Sequence, residues 1–291
     1  MSEITFLGLG NMGAALAETM MKARHDTVVW NRTLSKAKPF ADMGAKVASS
    51  AADAISRSPI TVVCVDDYET SDSILKTPEC LAALNGKVLV QLSSGSCELA
   101  RSANSWASEA GAMYLDGGIE GYPEDIGTPD SIFFIAGNEK GYAQVEPLLR
   151  ILAPKLEYLG DDPGQASAMD TAILATDLGL MLGVMSGAAI CKATGNSIEK
   201  YIELARPVIA MDIEAQYESA IKYENDDLED TDAYLKQWAE VVDSVIETLE
   251  SAGYNSEFPS LVKDMMNRAI KQGWGEHDAG VLIKLLKQGS S

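Results

Sequence analysis

Histidine is nearly absent from this sequence, with only His25 and His277 in 291 residues. The four cysteines, Cys64, Cys80, Cys97 and Cys191, form no C-x-x-C pair and show no metal-ligand spacing. A structural zinc site or a disulfide framework is therefore not expected, and no metal is assigned. Basic charge is scarce as well: 23 Lys and Arg stand against 43 Asp and Glu, a formal net charge of −20. Nucleic acid and anionic membrane surfaces both reward a basic face, so neither is expected as a partner. The longest strongly apolar stretch, 178–191, is bounded by Asp177 and Lys192 and falls short of the ~20 residues that span a bilayer. The opening Met-Ser-Glu has no basic n-region, so no signal peptide is expected, and a reduced, cytoplasmic location follows as an expectation.

What is present begins at once. Ile4 to Leu7 is a short apolar run, Gly8, Gly10 and Gly13 make G-x-G-x-x-G, and 14–21 reads as a helix. A strand, a glycine turn and a helix N-terminus together form an anion site. Gly8 permits the tight turn, Gly10 lets the backbone approach a pyrophosphate, and Gly13 lets helix and strand pack closely. Asn11 and Met12 lie inside this turn. A second strand, Thr27 to Trp30, ends in Asn31, Arg32 and Thr33, with Ser35 and Lys36 following. An NAD site usually places Asp or Glu there for the ribose 2′-hydroxyl. A guanidinium fork with a hydroxyl and an ammonium beside it suits a 2′-phosphate instead. The residues favour NADPH over NADH.

Through about residue 160, apolar runs at 4–7, 27–30, 60–65, 87–92, 112–115, 131–136 and 156–159 alternate with helical stretches. That alternation predicts a doubly wound, mostly parallel sheet in an α/β domain. Ligands of such sheets bind outside the carboxyl ends of the strands. The predicted loops there are Val65-Asp66-Asp67, Leu92-Ser93-Ser94-Gly95 and 117–123, the last ending in Tyr122 and Pro123. The character changes after 159–164. Residues 165–193 hold no proline and read as one long helix whose middle, 178–190, is apolar nearly all round and rich in Gly and Ala. Such a helix needs cover on every side. Few helices follow it, so the spacing predicts an intertwined homodimer, with a monomer and a compact helical second domain as the alternative. The remainder, 197–287, reads as helical, and 224–232, with six acids in nine residues, reads as a solvated loop. The expected domains are 1–160 and 161–291.

Four segments, G-L-G-N-M-G at 8–13, N-R-T-x-x-K at 31–36, D-G-G-I-E-G-Y-P at 116–123 and D-P-G-Q-A-S-A-M-D at 162–170, resemble the β-hydroxyacid dehydrogenase superfamily and, more narrowly, its imine reductase and reductive aminase branch. The likeness runs through nearly the whole chain, including 273–287. It implies an N-terminal Rossmann domain, a long inter-domain helix, an all-helical C-terminal domain, and a swapped dimer whose active site is shared between chains. The implied substrates are an imine, or a ketone plus an amine. Hydroxyacid dehydrogenases of the superfamily carry a lysine early in the long helix, and this sequence has none between Lys155 and Lys192. Where imine reductases carry Asp or Tyr, it has Asp170. A carboxylate can anchor a protonated imine that a cation would repel, and a buried carboxyl can also donate a proton. A helix-start carboxylate facing backbone N–H groups is the structural alternative for Asp170. The resemblance further places Ser94 and Tyr122 by the nicotinamide, and Met169, Leu178 and Met211 in the pocket lining. It places Gln237 and Trp238 in a pair contributed by the partner chain, though Trp238 suits ordinary helical core equally. Leu178 and Trp238 stand where other members carry polar or aromatic groups, which leaves substrate size and product handedness open. β-Hydroxyacid oxidation and non-catalytic NADP binding are the alternative functions.

Overall fold

Residues 2–287 of the chain are described by a computed structural model. Its first part is one eight-stranded sheet in the order β3-β2-β1-β4-β5-β6-β7-β8. The strands are β1 (Ile4–Leu7), β2 (Thr27–Trp30), β3 (Lys46–Val47), β4 (Ile60–Val63), β5 (Val88–Gln91), β6 (Met113–Glu120), β7 (Ile132–Gly137) and β8 (Lys155–Tyr158). Helices α1 (Asn11–Lys22), α2 (Lys38–Asp42), α3 (Ala51–Ser56), α4 (Tyr68–Leu75), α5 (Pro78–Leu84), α6 (Cys97–Glu109) and α7 (Glu139–Leu152) connect them. Period-two alternation sends successive strand residues to opposite faces. Ile4, Phe6, Val29, Val62 and Val90 enter one core cluster, while Leu7, Val28, Val63 and Leu89 enter the other. Side chains cap the connecting helices at their starts: Asp67 accepts from the Thr70 N–H at α4, Ser96 from Leu99 at α6, and Asn138 from Gly141 at α7.

Two expectations are corrected. β3 went unpredicted, because two residues paired to β2 carry no periodic signal. The stretch 117–120, expected as loop, is strand. β6 pairs with β5 only to Asp116 and then continues antiparallel to β7, with Gly117 opposite Ile135 and Gly118 opposite Phe134. A Cβ at Gly117 would lie 2.5 Å from Leu92 and 2.7 Å from Ile135, so the missing side chain is what lets the strand pass.

The second part is helical: α8 (Gly164–Ala193), α9 (Ile198–Glu224), α10 (Leu235–Ser251), α11 (Glu257–Ala269), a π-helical turn at Ile270–Trp274, and α12 (Ile283–Leu286). Its core is small: Leu228, Leu235, Ala269, Val281 and Leu285. The acidic segment 224–232 is pinned at its middle, since Leu228 is buried and its carbonyl accepts from the Asp278 N–H at 2.8 Å. The acids flank this anchor. The compact units meet inside α8, between Thr176 and Asp177, whereas the sequence changes character at 160/161.

From Leu174 to Met185 none of the large apolar side chains of α8 is buried, and Met185 is 59% exposed. Among the described residues, α8 is the one helix long and apolar enough to cross a membrane by length and composition, with a mean hydropathy of 1.7 over its best window. The stretch 178–191 taken alone had fallen short. Alanine, glycine and threonine on either side extend it without adding more than one or two charges.

Candidate active site

The phosphate end of the site follows from three glycines with separate duties. Gly8 sits at φ +98°, and a Cβ there would collide with the Cys64 carbonyl oxygen. A Cβ at Gly13 would collide with the Gly8 carbonyl oxygen, which locks α1 close to β1. At Gly10 a Cβ would meet nothing within 4 Å, because this position faces an open cleft of about 220 Å³. Gly10 caps α1 with no side-chain hydrogen bond, and the first turn holds no acid. Its free N–H groups and the helix dipole therefore face the cleft unopposed.

The same cleft is lined by Trp30, Asn31, Arg32, Thr33, Lys36, Val65 and Asp66. Asn31 braces it: its Oδ1 accepts from the Leu9 N–H at 2.9 Å and its Nδ2 donates to the Thr33 carbonyl at 3.1 Å. That clamp ties the basic turn to the glycine turn. Arg32 and Lys36 are exposed, and among the described residues neither forms an ion pair. The arrangement fits NADPH, with pyrophosphate over Gly10 and the start of α1, and the 2′-phosphate against Arg32, Thr33 and Lys36. Asp67, beside the exposed Asp66, is a helix cap whose carboxyl is held below the usual range by the Thr70 N–H.

A second pocket of about 210 Å³ shares Met12, Cys64 and Val65 with the first. It adds Ser93, Ser94, Gly118, Ser167 and Asp170. Asp170, half-buried in the second turn of α8, stands against β6: a Cβ on Gly118 would lie 3.0 Å from the Asp170 Cβ and 3.2 Å from its Oδ1. Burial raises its carboxyl above the ordinary carboxylate value. Burial also pushes the Cys64 thiol up to about 12, which leaves it neutral and inert. Among the described residues, no lysine or histidine lines this pocket. Asp170 is thus the carboxyl that this pocket offers to a proton.

Ser94 lies exposed at the pocket edge. Its neighbour Ser93, which the sequence places in the same loop without assigning it a role, is buried and holds two strand-end loops together. It accepts from the Val65 N–H at 3.0 Å, and its own N–H donates to Gln91 Oε1 at 3.1 Å. Tyr122 is 72% exposed just beyond β6 and does not line either pocket. Met169 is exposed on α8, as are Leu178 and, on α9, Met211. Gln237 caps α10 by accepting from the Tyr234 N–H at 2.9 Å. Trp238 is 41% exposed and lines a groove of the helical unit with Ser219 and Lys222. At that exposure Trp238 is not buried within this chain.

The comparisons agree with this geometry. Residues 3–160 match the family of the NAD binding domain of 6-phosphogluconate dehydrogenase, and residues 162–288 match the C-terminal domain of NADPH-dependent reductive aminase-like proteins. An NADPH-dependent reductive aminase of Aspergillus oryzae is 28% identical over 99% of this chain and 98% of its own. An imine reductase from Myxococcus stipitatus, solved with NADP+, is 33% identical, with a TM-score of 0.91 over 98% of this chain and 100% of that one. A reductive aminase from Aspergillus terreus, solved with NADPH4, cyclohexanone and allyl amine, is 30% identical, with a TM-score of 0.90 over 99% and 100% of the two chains. With both parts of the chain matched and a dinucleotide cleft that fits NADPH, this chain belongs to the imine reductase and reductive aminase family.

Proposed function

We propose that this chain reduces imines and iminium ions to amines with NADPH, and that it also takes a ketone together with an amine. The carrying observation is Asp170, a half-buried carboxyl against Gly118 in a pocket continuous with the dinucleotide cleft and free of lysine and histidine. Bound NADPH supplies the hydride that reduces the C=N carbon. The nitrogen needs a proton and, once protonated, a counter-charge. Asp170 provides either: its raised carboxyl holds a proton for a neutral imine, and its carboxylate pairs with an iminium. Gly10 and the start of α1 hold the pyrophosphate, Arg32, Thr33 and Lys36 the 2′-phosphate, and Val65, Asp66 and Ser94 border the cofactor. Met169, beside Asp170 on α8, borders the substrate space in this reading. Oxidation of a β-hydroxyacid, the second reading, lacks the lysine that its alcohol proton requires.

The working unit in this reading is a homodimer. The apolar side chains of α8 stay uncovered within one chain, and Gly179 and Gly183 have open space where a Cβ would stand, so a second chain can approach closely. Exchange of helical domains would let Met211, Gln237 and Trp238 complete the pocket of the other protomer. A Rossmann domain over 1–160, a helical dimerisation domain over 161–291 and a cytoplasmic location belong to the same proposal.

The test is single-turnover reduction of a preformed cyclic imine by wild type and Asp170→Ala, with NADPH affinity measured in parallel. Loss of ~10²–10⁴ in rate with affinity retained is expected. A wild type that ignores imines but oxidises β-hydroxyacids with NADP+ would overturn the function. The pH profile assigns the role: a rate that falls as pH rises through the Asp170 titration marks proton delivery, and one that rises marks the anchor.

A further inference from the structure

Beneath the pocket lies a second carboxyl that the reaction does not touch. Asp116, on β6, is 1% exposed. Its Oδ1 accepts from the hydroxyls of Tyr68 and, at 3.4 Å, Tyr114; its Oδ2 accepts from the Ser167 N–H at 3.2 Å and the Ser167 hydroxyl at 2.5 Å. Four donors from three elements converge on one carboxylate, with no cation among them.

The spacing along each element gives this cluster its reach. Asp116 and Gly118 are two apart on β6 and so face the same side of the sheet. Ser167 and Asp170 are three apart on α8 and so share one helix face. The two contacts, Asp116 to Ser167 and Gly118 to Asp170, are successive rungs between one strand and one helix. Gly118, having no Cβ, makes the room in which Asp170 stands against the strand, and Asp116 is a polar tie that resists rotation of the helix about that point. A second tie lies upstream, where Asp162 accepts from Arg101 at 2.7 Å and from the Gly164 N–H at 3.0 Å. That one is solvent-exposed and holds only the helix start.

We infer that Asp116 is a positioning residue for the reduction: with Tyr68, Tyr114 and Ser167 it clamps the first two turns of α8 and so sets where the Asp170 carboxyl stands over the pocket. The inference rests on Asp170 being the group that handles the imine nitrogen. Burial raises the Asp116 carboxyl to about 6, while its serine and tyrosine donors pull it down, so the clamp is held by the charged form against a desolvation cost.

The experiment is a double-mutant cycle read by single-turnover reduction of a preformed cyclic imine at saturating NADPH. Asp116→Asn keeps the shape but removes the charge and turns one of the two acceptor oxygens into a donor; Ser167→Ala removes one hydroxyl and leaves the backbone bond. Each is made alone and together with Asp170→Ala. Asp116→Asn should slow reduction ~10- to 100-fold, as a displacement of about 1 Å does at an oriented reaction centre. Ser167→Ala should slow it several-fold, with NADPH affinity within twofold of wild type for both. Neither should slow the Asp170→Ala enzyme further, because the group being positioned is gone. If Asp116→Asn does not fold, the Ser167→Ala pair carries the test alone. A wild-type rate for the folded variants overturns the inference and leaves the role of Asp170 intact. An equal loss with and without Asp170 also overturns it, since that marks general damage. A wild-type rate for Asp170→Ala removes the catalytic reading and the positioning role with it.

Discussion

The sheet unit and the helical unit solve the burial problem differently. In the first, strands β1, β2, β4, β5 and β6 send residues into two complete cores, and the large side chains there, Phe6, Leu16, Phe133 and Tyr114 among them, are fully enclosed. In the second, five buried residues form the core, and the middle of α8 keeps leucines and methionines in the open. The sheet unit closes on itself, as a fold that must present a rigid cofactor cleft should. The helical unit leaves an exposed apolar face, which in the proposed homodimer a second chain would cover. The contrast teaches that the apolar residues of one chain serve two purposes, and that position in the chain tells which.

The sharpest way to break this contrast is to charge the open face of α8. Met181→Lys with Met185→Glu should convert a dimer to single 31 kDa chains and abolish imine reduction, read by light scattering and activity together. In a monomer these exposed positions would tolerate charge with little effect.

Within the sheet unit the three glycines divide the same way, between internal packing and open cleft. Gly13→Ala should cost ~1–3 kcal/mol of stability through overpacking against the Gly8 carbonyl, with NADPH binding lost alongside. Gly10→Ala, which meets no protein atom, should melt like wild type and bind NADPH about tenfold more weakly. Calorimetry and cofactor titration check both. At the other end of the cleft, Arg32→Ala should weaken NADPH by ~1.5–3 kcal/mol, about 10- to 100-fold, and NADH hardly at all. Equal losses for the two cofactors would remove the 2′-phosphate assignment.

The smallest expected effect concerns pH. The Asp116 carboxyl is raised in the folded chain from the ordinary 3.8 to about 6. Across that window the folded state binds more protons than the unfolded one, so this group's contribution to stability falls as pH rises from 3.8 to 6. Asp162, held by Arg101 down at about 2, works in the opposite sense and loses its contribution only as pH falls below 3.8. Asp116→Asn should therefore flatten the melting temperature between pH 4 and 6 by a few degrees relative to wild type. A curve of unchanged slope would show that Asp116 titrates as an ordinary carboxylate.

How much of this was legible depends on distance along the chain. The dinucleotide fingerprint is local: strand, turn and helix start occupy ten residues, and the spacing of Gly8, Gly10 and Gly13 states its own geometry. The basic turn at Arg32 follows within twenty more. The long helix was legible too, because thirty residues without proline or alternation admit little else. The strand extension through Gly117 and Gly118 was not, since two glycines carry no periodicity and the pairing that makes them strand comes from β7. The buried anchor at Leu228 was hidden among acids for a similar reason: a single apolar residue has no pattern until Asp278, fifty residues on, bonds to its carbonyl.

By itself the sequence determined the alternating sheet, the glycine turn, the preference for NADPH and the presence of a lone carboxyl at 170, because each rests on neighbours in the chain and on the fixed periods of strand and helix. Only the tertiary structure decided that Asp170 stands against Gly118, that Ser93 ties two loops together, and that Asp116 gathers Tyr68, Tyr114 and Ser167. Those contacts join residues up to about fifty positions apart, and a hydrogen bond depends on where folding brings its donor and acceptor, which no local pattern records.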